Sequence, residues 1–178
     1  CNPHDYDRLY AALFPSCADR TNVRWVCEFG IGSTRRGVMS RMPRNYNTGA
    51  SLFSWRSVFP QANVVGIDID PPAKDFGERI RILQGDQTDS GSLDKISSAV
   101  GADYDLMIDD GLHVPHANLR TLTFFLPRLR VGGFGVIEDV HEAALPLWRT
   151  VVHVLPADFS STLIEMRRAH CLVVQRVR

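Results

Sequence analysis

Short apolar runs recur along the chain, separated by segments whose apolar residues have helical spacing. The runs cover residues 23–29, 63–69, 79–83, 104–108 and 133–137. Each run is continuously apolar rather than alternating, which indicates strands that are buried on both faces of a parallel sheet. Strands that alternate with helices in this way predict a doubly wound α/β fold with right-handed crossovers.

The last part of the chain departs from that alternation. Residues 162–166 and 171–177 are predicted to form two strands joined by a short turn. Strands joined so closely must pair antiparallel, because a parallel pair needs a long crossover. The sequence therefore predicts a Rossmann-like, seven-stranded, mostly parallel sheet that ends in an antiparallel hairpin.

Four helices are expected between the strands, over residues 49–60, 90–101, 116–129 and 142–155. The first should present one apolar face, made of Leu52, Trp55, Val58 and Phe59. Serines at the start of the second suit helix capping, and Pro146 should lie in the first turn of the fourth or kink it. A further helix is predicted at the N-terminus, over residues 4–15.

Composition narrows the class of protein. The 178 residues suit a single domain over residues 1–178, and 20 Lys and Arg balance 20 Asp and Glu, which argues against a nucleic-acid partner. No apolar run reaches the roughly 20 residues that span a bilayer, and no signal peptide is visible. The four cysteines lack C-x-x-C spacing, so we expect reduced thiols, with Cys27 and Cys171 in the core, and a cytoplasmic protein.

Ligands of open α/β sheets bind beyond the carboxyl ends of the strands. The first strand ends in CEFGIGS, where Gly30 and Gly32 allow the backbone to turn tightly and approach a ligand, although a plain glycine-rich turn is as good an interpretation. Asp68 ends the second strand, where an acid can accept both ribose hydroxyls of a nucleoside. Its distance from the turn is about twice the usual spacing of about 20 residues, which indicates an insertion at residues 34–48.

The third strand leads into Asp86 and Gln87. Their side chains could hydrogen-bond an adenine edge, or they could cap the helix that begins near Ser90. The sequence favours neither interpretation.

Two adjacent carboxylates follow the fourth strand, Asp109 and Asp110, and two more follow the fifth, Glu138 and Asp139. Each pair alone would more often cap a helix. If the two strands are neighbours, however, four carboxylates share one cleft, which is strongly unfavourable unless a cation is bound. Oxygen donors without cysteine favour Mg²⁺, with Mn²⁺ as the alternative. His113, three residues after Asp110, could take a proton near neutral pH, although a lone histidine is more often structural.

These features resemble the class I S-adenosylmethionine-dependent methyltransferases, from about Tyr6 to the end of the chain. EFGIG, GID and GGFGVIED carry that likeness. A nearer resemblance is to the metal-dependent sugar O-methyltransferases of the macrocin and mycinamicin type. Their D-D-G-S-H motif, with an E-D pair after the next strand, matches DDGLH and IEDVH here. The segment GASLFSWRSVFPQANVVGIDID is also similar to bacterial methyltransferases encoded with surface-polysaccharide genes.

The resemblance implies S-adenosylmethionine and Mg²⁺ or Mn²⁺ as cofactors, and a sugar or glycan hydroxyl as the acceptor. By position, Asp110, Glu138 and Asp139 would bind the metal, and His113 would be the general base. Residues expected around the methionine and ribose portions of the cofactor are Glu28, Gly30, Gly32, Ser33 and Asp68, with Asp86 and Gln87 near adenine. Asp109 would act behind the metal ligands or near the cofactor.

Two residues depart from the family pattern: Leu112 replaces the motif's serine, and Phe53 stands where polysaccharide-type relatives often have arginine. Both bear on the acceptor pocket, for which residues 34–48 and the N-terminal segment are the expected lid. Alternatives are N-methylation of a glycan amine or phosphoramidate, an NAD-dependent oxidoreductase, and a cofactor-binding module without catalysis. Small methyltransferases of this kind often associate, so a homo-oligomer is a further alternative.

Overall fold

The strands form one seven-stranded sheet. The structure, a computed structural model, describes residues 5–39 and 42–178. The strands are β1 (Trp25–Phe29), β2 (Asn63–Asp68), β3 (Ile80–Gln84), β4 (Tyr104–Asp109), β5 (Leu129–Val140), β6 (Phe159–Glu165) and β7 (His170–Arg176). Their order in the sheet is β3-β2-β1-β4-β5-β7-β6. The first five strands are parallel, and β7 pairs antiparallel with both β5 and β6, which confirms the predicted fold class and terminal hairpin.

Helices cover both faces of the sheet. They are α1 (Tyr6–Leu13), α2 (Cys17–Asn22), α3 (Ala50–Val58), α4 (Ser90–Val100), α5 (Pro115–Phe125) and α6 (Leu145–Val154), with 3₁₀ turns at Leu126–Arg128 and Glu142–Ala144. Apolar side chains of α1 and α3 pack in one core, and those of α4, α5 and α6 pack in the other. Cys27 and Cys171 are buried there, as predicted. Within the described ranges, no helix is long and apolar enough to cross a membrane.

Two predicted details of the helices were wrong, and the structure decides between two alternatives for a third. Asp89, not a serine, caps α4, by accepting a hydrogen bond from the Gly91 N–H. Val58 lies on the exposed side of α3 rather than on its buried face. Pro146 lies in the first turn of α6, where its missing N–H has no intrahelical partner to lose, so the helix is not kinked there.

The N-terminal region contains one helix more than predicted. The predicted helix over residues 4–15 is α1, which ends at Leu13, and residue 4 lies outside the described residues. The additional helix, α2, begins at a capping box, because Ser16 accepts a hydrogen bond from the Asp19 N–H while Asp19 accepts one from Ser16. The predicted lid has no regular helix or strand in residues 34–39 and 42–48, and residues 40 and 41 lie outside the described residues, as does Cys1.

Candidate active site

A cavity of about 1000 Å³ lies at the carboxyl ends of β1, β2, β4 and β5 and is bordered by α1 and α3. This is the edge of the sheet where ligands of doubly wound folds bind. Six carboxylates line the cavity, five of them at or near strand ends (Glu28, Asp68, Asp110, Glu138 and Asp139) and one, Asp7, on α1. The strands β4 and β5 are neighbours in the sheet, and three of the four carboxylates expected in one cleft, Asp110, Glu138 and Asp139, line this cavity. The fourth, Asp109, is buried outside it.

Asp110, His113 and Asp139 come together in this cavity. One ligand atom from each lies within 4.8 Å of the others. The His113 Nε2 atom is 3.7 Å from Asp110 Oδ1 and 3.9 Å from Asp139 Oδ2. Desolvation, together with the charges of the neighbouring acids, raises the pKa of Asp110 well above its ordinary value. Carboxylates that repel one another in this way favour a bound cation.

His113 and Asp139 share an unusual backbone conformation. Their φ angles are +57° and +48°, in the left-handed region that residues other than glycine rarely adopt. The His113 Nδ1 atom is also buried, and it has no hydrogen-bond partner among the residues that the structure describes. Such features cost free energy and cluster at functional sites. Of the five described non-glycine residues with a positive φ angle, only His113 and Asp139 line the cavity.

Glu138 lies beside this group, in contact with the N-terminal helix. Its Oε1 atom accepts a hydrogen bond of 2.5 Å from the Tyr10 hydroxyl. Burial raises the pKa of Glu138 to about 8, and the charge of Glu28 adds to that effect. Burial likewise raises the pKa values of Tyr6 and Tyr10, so both phenols stay protonated and can donate to carboxylates.

Glu28 is almost completely buried at the end of β1, with 2% of its surface exposed. Burial, followed by the charge of Asp110, raises its pKa to about 8. The Trp55 Nε1–H donates a hydrogen bond of 3.0 Å to Glu28 Oε2 and fixes the carboxylate at the cavity wall. A buried acid held in this way is suited to bind a cationic group of a ligand, which would compensate its charge.

The glycine-rich turn brings the backbone of β1 close to that of β4. A Cβ atom at Gly30 would lie 2.2 Å from the Asp110 carbonyl oxygen, and the φ angle of Gly30 is +85°. Only glycine fits there. Asp68 anchors the same turn, because its Oδ2 atom accepts a hydrogen bond of 3.0 Å from the Ile31 N–H. Asp68 also lines the cavity, and its predicted contact with ribose stays a prediction.

The Ser33 hydroxyl is bonded to Asp70, and the predicted contact of Ser33 with the cofactor stays a prediction. This hydroxyl donates a hydrogen bond of 2.7 Å to Asp70 Oδ2, and Arg35 Nε lies 3.1 Å from Asp70 Oδ1. Asp70 therefore holds the start of the predicted lid on the sheet.

A smaller cavity of about 300 Å³ lies next to the first and shares Gly30 and Asp68 with it. Asp86 lines this cavity, and its carboxylate accepts hydrogen bonds from the N–H and hydroxyl of Thr88. It does not cap α4, since that role belongs to Asp89.

Gln87 and Asp109 form a buried hydrogen-bonded cluster on the α5 side of the sheet. The Gln87 amide donates to Asp109 Oδ1 at 3.1 Å, and its Oε1 atom accepts a hydrogen bond of 2.9 Å from the Leu112 N–H. Asn118 Nδ2 donates to Asp109 Oδ2 at 2.9 Å. Asp109 is fully buried and does not line the larger cavity, so its bonds join β4 to α5 and to the loop that carries His113.

Comparison with known proteins places this geometry in a family. No family model matches the chain. It is 41% identical over 122 residues to mycinamicin VI 2''-O-methyltransferase of Micromonospora griseorubida, an alignment that covers 68% of this chain and 28% of the relative. It is 34% identical to demethylmacrocin O-methyltransferase of Streptomyces fradiae, with the same coverage. Among solved structures, the methyltransferase MycE of the mycinamycin pathway, in complex with Mg and SAH, superposes with a TM-score of 0.77. That match has 26% identity and covers 97% of this chain and 50% of the other.

The chain belongs to the class I S-adenosylmethionine-dependent methyltransferases. It spans between 25% and 36% of the length of the curated relatives that it matches.

Three side chains of this methyltransferase domain were missed in the sequence, namely Tyr6, Tyr10 and Trp55. All three bond to site carboxylates. The four-residue spacing of the tyrosines places them on one face of a helix, which was an available signal. Nothing local indicated that this face would meet β5, because the contacts join residues 133 and 128 positions apart.

Proposed function

We propose that this domain transfers a methyl group from S-adenosylmethionine to a hydroxyl of a sugar, assisted by Mg²⁺ or Mn²⁺. The observation that carries the proposal is the convergence of Asp110, His113 and Asp139 in the cavity that Gly30 and Asp68 also line. Support comes from relatives named as O-methyltransferases of mycinamicin VI and demethylmacrocin, and from the solved relative whose complex contains Mg and SAH.

The donor set fits a hard divalent cation. Carboxylate oxygens are the ligands that Mg²⁺ prefers, and no cysteine lines the cavity among the residues that the structure describes. Asp110, Glu138 and Asp139 are the proposed ligands. Burial, followed by the charges of neighbouring acids, raises the pKa values of Asp110 and Glu138, and a bound cation would offset both effects.

The two cavities share lining residues, and together they fit the parts of the proposed cofactor. Glu28 would bind the amino group of the methionine portion, and Gly30 and Gly32 would allow its close approach to the backbone. Asp68 stands at the junction with the smaller cavity, where a ribose could be held. Asp86 would lie near adenine. The Gln87 amide is already hydrogen-bonded to Asp109 and to the Leu112 N–H, so Gln87 could contact adenine only by giving up one of those bonds.

His113 is the proposed general base. A bound cation supplies positive charge that lowers the pKa of the acceptor hydroxyl. The His113 imidazole then takes the hydroxyl proton at Nε2, the nitrogen that faces the acids. With S-adenosylmethionine bound, the acceptor oxygen would form a bond to the methyl carbon while the carbon–sulfur bond breaks, and the electron pair would stay on sulfur, leaving S-adenosylhomocysteine. The carboxylates orient the acceptor for in-line transfer.

Two measurements test this proposal. Isothermal titration should show binding of S-adenosylhomocysteine and no comparable binding of NAD, which also tests the oxidoreductase alternative. Transfer of a labelled methyl group to a panel of glycosides should be lost in EDTA and restored by Mg²⁺. Preferential binding of NAD would contradict the methyltransferase assignment, and full transfer in EDTA would contradict the cation.

A further inference from the structure

Two tyrosines of α1 bond directly to two consecutive acids of β5. Tyr6 and Tyr10 are four residues apart and therefore lie on the same face of the helix. The Tyr6 hydroxyl donates a hydrogen bond of 2.5 Å to Asp139 Oδ1, and the Tyr10 hydroxyl donates one of 2.5 Å to Glu138 Oε1. The two hydrogen bonds fasten the N-terminal helix to the strand end that carries two of the proposed cation ligands.

Tyr6 contacts Asp139 at two points. Besides donating to Oδ1, its hydroxyl accepts a hydrogen bond of 3.0 Å from the Asp139 N–H. One hydroxyl thus holds both the backbone and the side chain of a residue whose φ angle is +48°. Since Tyr6 bonds to Oδ1, the other oxygen, Oδ2, is the one that faces His113 Nε2, at 3.9 Å.

Tyr10 holds Glu138 by one hydrogen bond and also contacts α3, which borders the same cavity. Its side chain is buried, and its ring packs edge-on against Trp55, with 4.6 Å between ring centroids. Trp55 in turn donates to Glu28. The carboxylates of β1 and β5 are therefore oriented by aromatic side chains of α3 and α1.

We propose that Tyr6 and Tyr10 are positioning residues for the cation: each holds one oxygen of its carboxylate and so fixes a side chain that lines the cavity. The inference rests on the proposed function, since it concerns the same cation. Hydrogen bonds to ligating carboxylates commonly raise metal affinity by roughly 10–100-fold, because they fix the ligand before the metal binds.

The test compares Tyr6→Phe and Tyr10→Phe with Tyr104→Phe in the full chain. The Tyr104 hydroxyl donates a buried hydrogen bond of 2.7 Å to the Val100 carbonyl and does not line the cavity, so the control loses a comparable bond elsewhere. Mn²⁺ affinity is measured by electron paramagnetic resonance, S-adenosylhomocysteine affinity by titration, and the melting temperature by circular dichroism. Tyr6→Phe and Tyr10→Phe should each weaken Mn²⁺ binding by roughly tenfold or more. Tyr104→Phe should leave it unchanged.

A second measurement separates positioning from general stability. In an Asp139→Asn background, Tyr6→Phe should weaken Mn²⁺ binding no further, because the carboxylate through which Tyr6 acts is gone. Retention of wild-type Mn²⁺ affinity in both tyrosine variants would overturn the inference and leave the proposed function intact. An equal loss in Tyr104→Phe would also overturn it, since the effect would then be global. If the wild-type chain bound no Mn²⁺, both the inference and the proposed cation would fall.

Discussion

Glu28→Gln should stabilise the protein at alkaline pH while weakening its site. Glu28 is 2% exposed, and burial raises its pKa from an ordinary 4.5 to about 8. The folded state therefore holds a proton that the unfolded state has already released. The stability associated with that proton is fully present below pH 4.5 and is lost as the pH rises towards 8.

The size of the effect follows from linkage. One pKa unit corresponds to about 1.4 kcal/mol, so a rise of this size makes the free energy of unfolding about 3.5 kcal/mol lower at pH 8 than at pH 5. Glutamine has the same shape, keeps an oxygen that can accept from Trp55 Nε1, and does not ionise. The variant should therefore match the wild type at pH 5 and exceed it by about 3 kcal/mol at pH 8.

Urea unfolding at pH 5, 6.5 and 8, with EDTA and without cofactor, measures this difference. Glu165→Gln is the control, because Glu165 is an exposed carboxylate at the end of β6 and should leave the pH profile unchanged. If Glu28 binds the amino group of the cofactor, the stabilised variant should also bind S-adenosylhomocysteine more weakly. Parallel pH profiles of Glu28→Gln and the wild type would refute the reasoning.

The remaining predictions concern the proposed general base, His113, and a buried acid at the start of β4, Asp105. His113→Gln should lower kcat by roughly 100-fold or more, because the proton acceptor is lost, while S-adenosylhomocysteine affinity changes little. The control is His116→Gln, since His116 is exposed, and an equal loss of kcat there would contradict the assignment. Asp105→Ala should lower the free energy of unfolding, measured in urea, by about 3 kcal/mol. The reason is that buried Asp105 accepts hydrogen bonds from the N–H groups of Arg24 and Trp25. Its ion pair with Arg130 contributes less, because Arg130 is partly exposed. A loss below about 1 kcal/mol would show that these N–H groups find other partners.

The fold was predictable because the deciding signals are local. Strands buried on both faces have continuously apolar sequences, and the short turn before β7 leaves antiparallel pairing as the only choice. The full length of β5 was harder to predict, since residues 129–132 include Arg130 and Gly132 and have no apolar pattern. They extend the strand through pairing with β4, for example between Leu129 and Tyr104, which is a tertiary effect.

The candidate site was predictable in position more than in orientation. Strand ends place Glu28, Asp110 and Glu138 at one edge of the sheet, and sequence suffices for that step. Which way a side chain turns depends on partners distant in the chain. Asp109 hydrogen-bonds to Gln87 and Asn118, whereas the adjacent Asp110 lines the cavity. The two residues are of the same type and adjacent, so the sequence does not distinguish their roles.

The bulge in β5 explains how two consecutive acids can serve one site. In a regular strand, Glu138 and Asp139 would point to opposite faces of the sheet. The pairing of β5 with β7 shifts by one residue between Ile137 and Val140, so an extra residue is accommodated there, and Asp139 takes its φ angle of +48°. Both side chains consequently line the same cavity. Backbone strain of this kind costs about 1–3 kcal/mol, and the hydroxyl of Tyr6, by accepting the Asp139 N–H, offsets part of it. The strained backbone of Asp139 and the supporting hydroxyl of Tyr6 on α1 thus act together to bring two consecutive carboxylates of β5 to the same cavity.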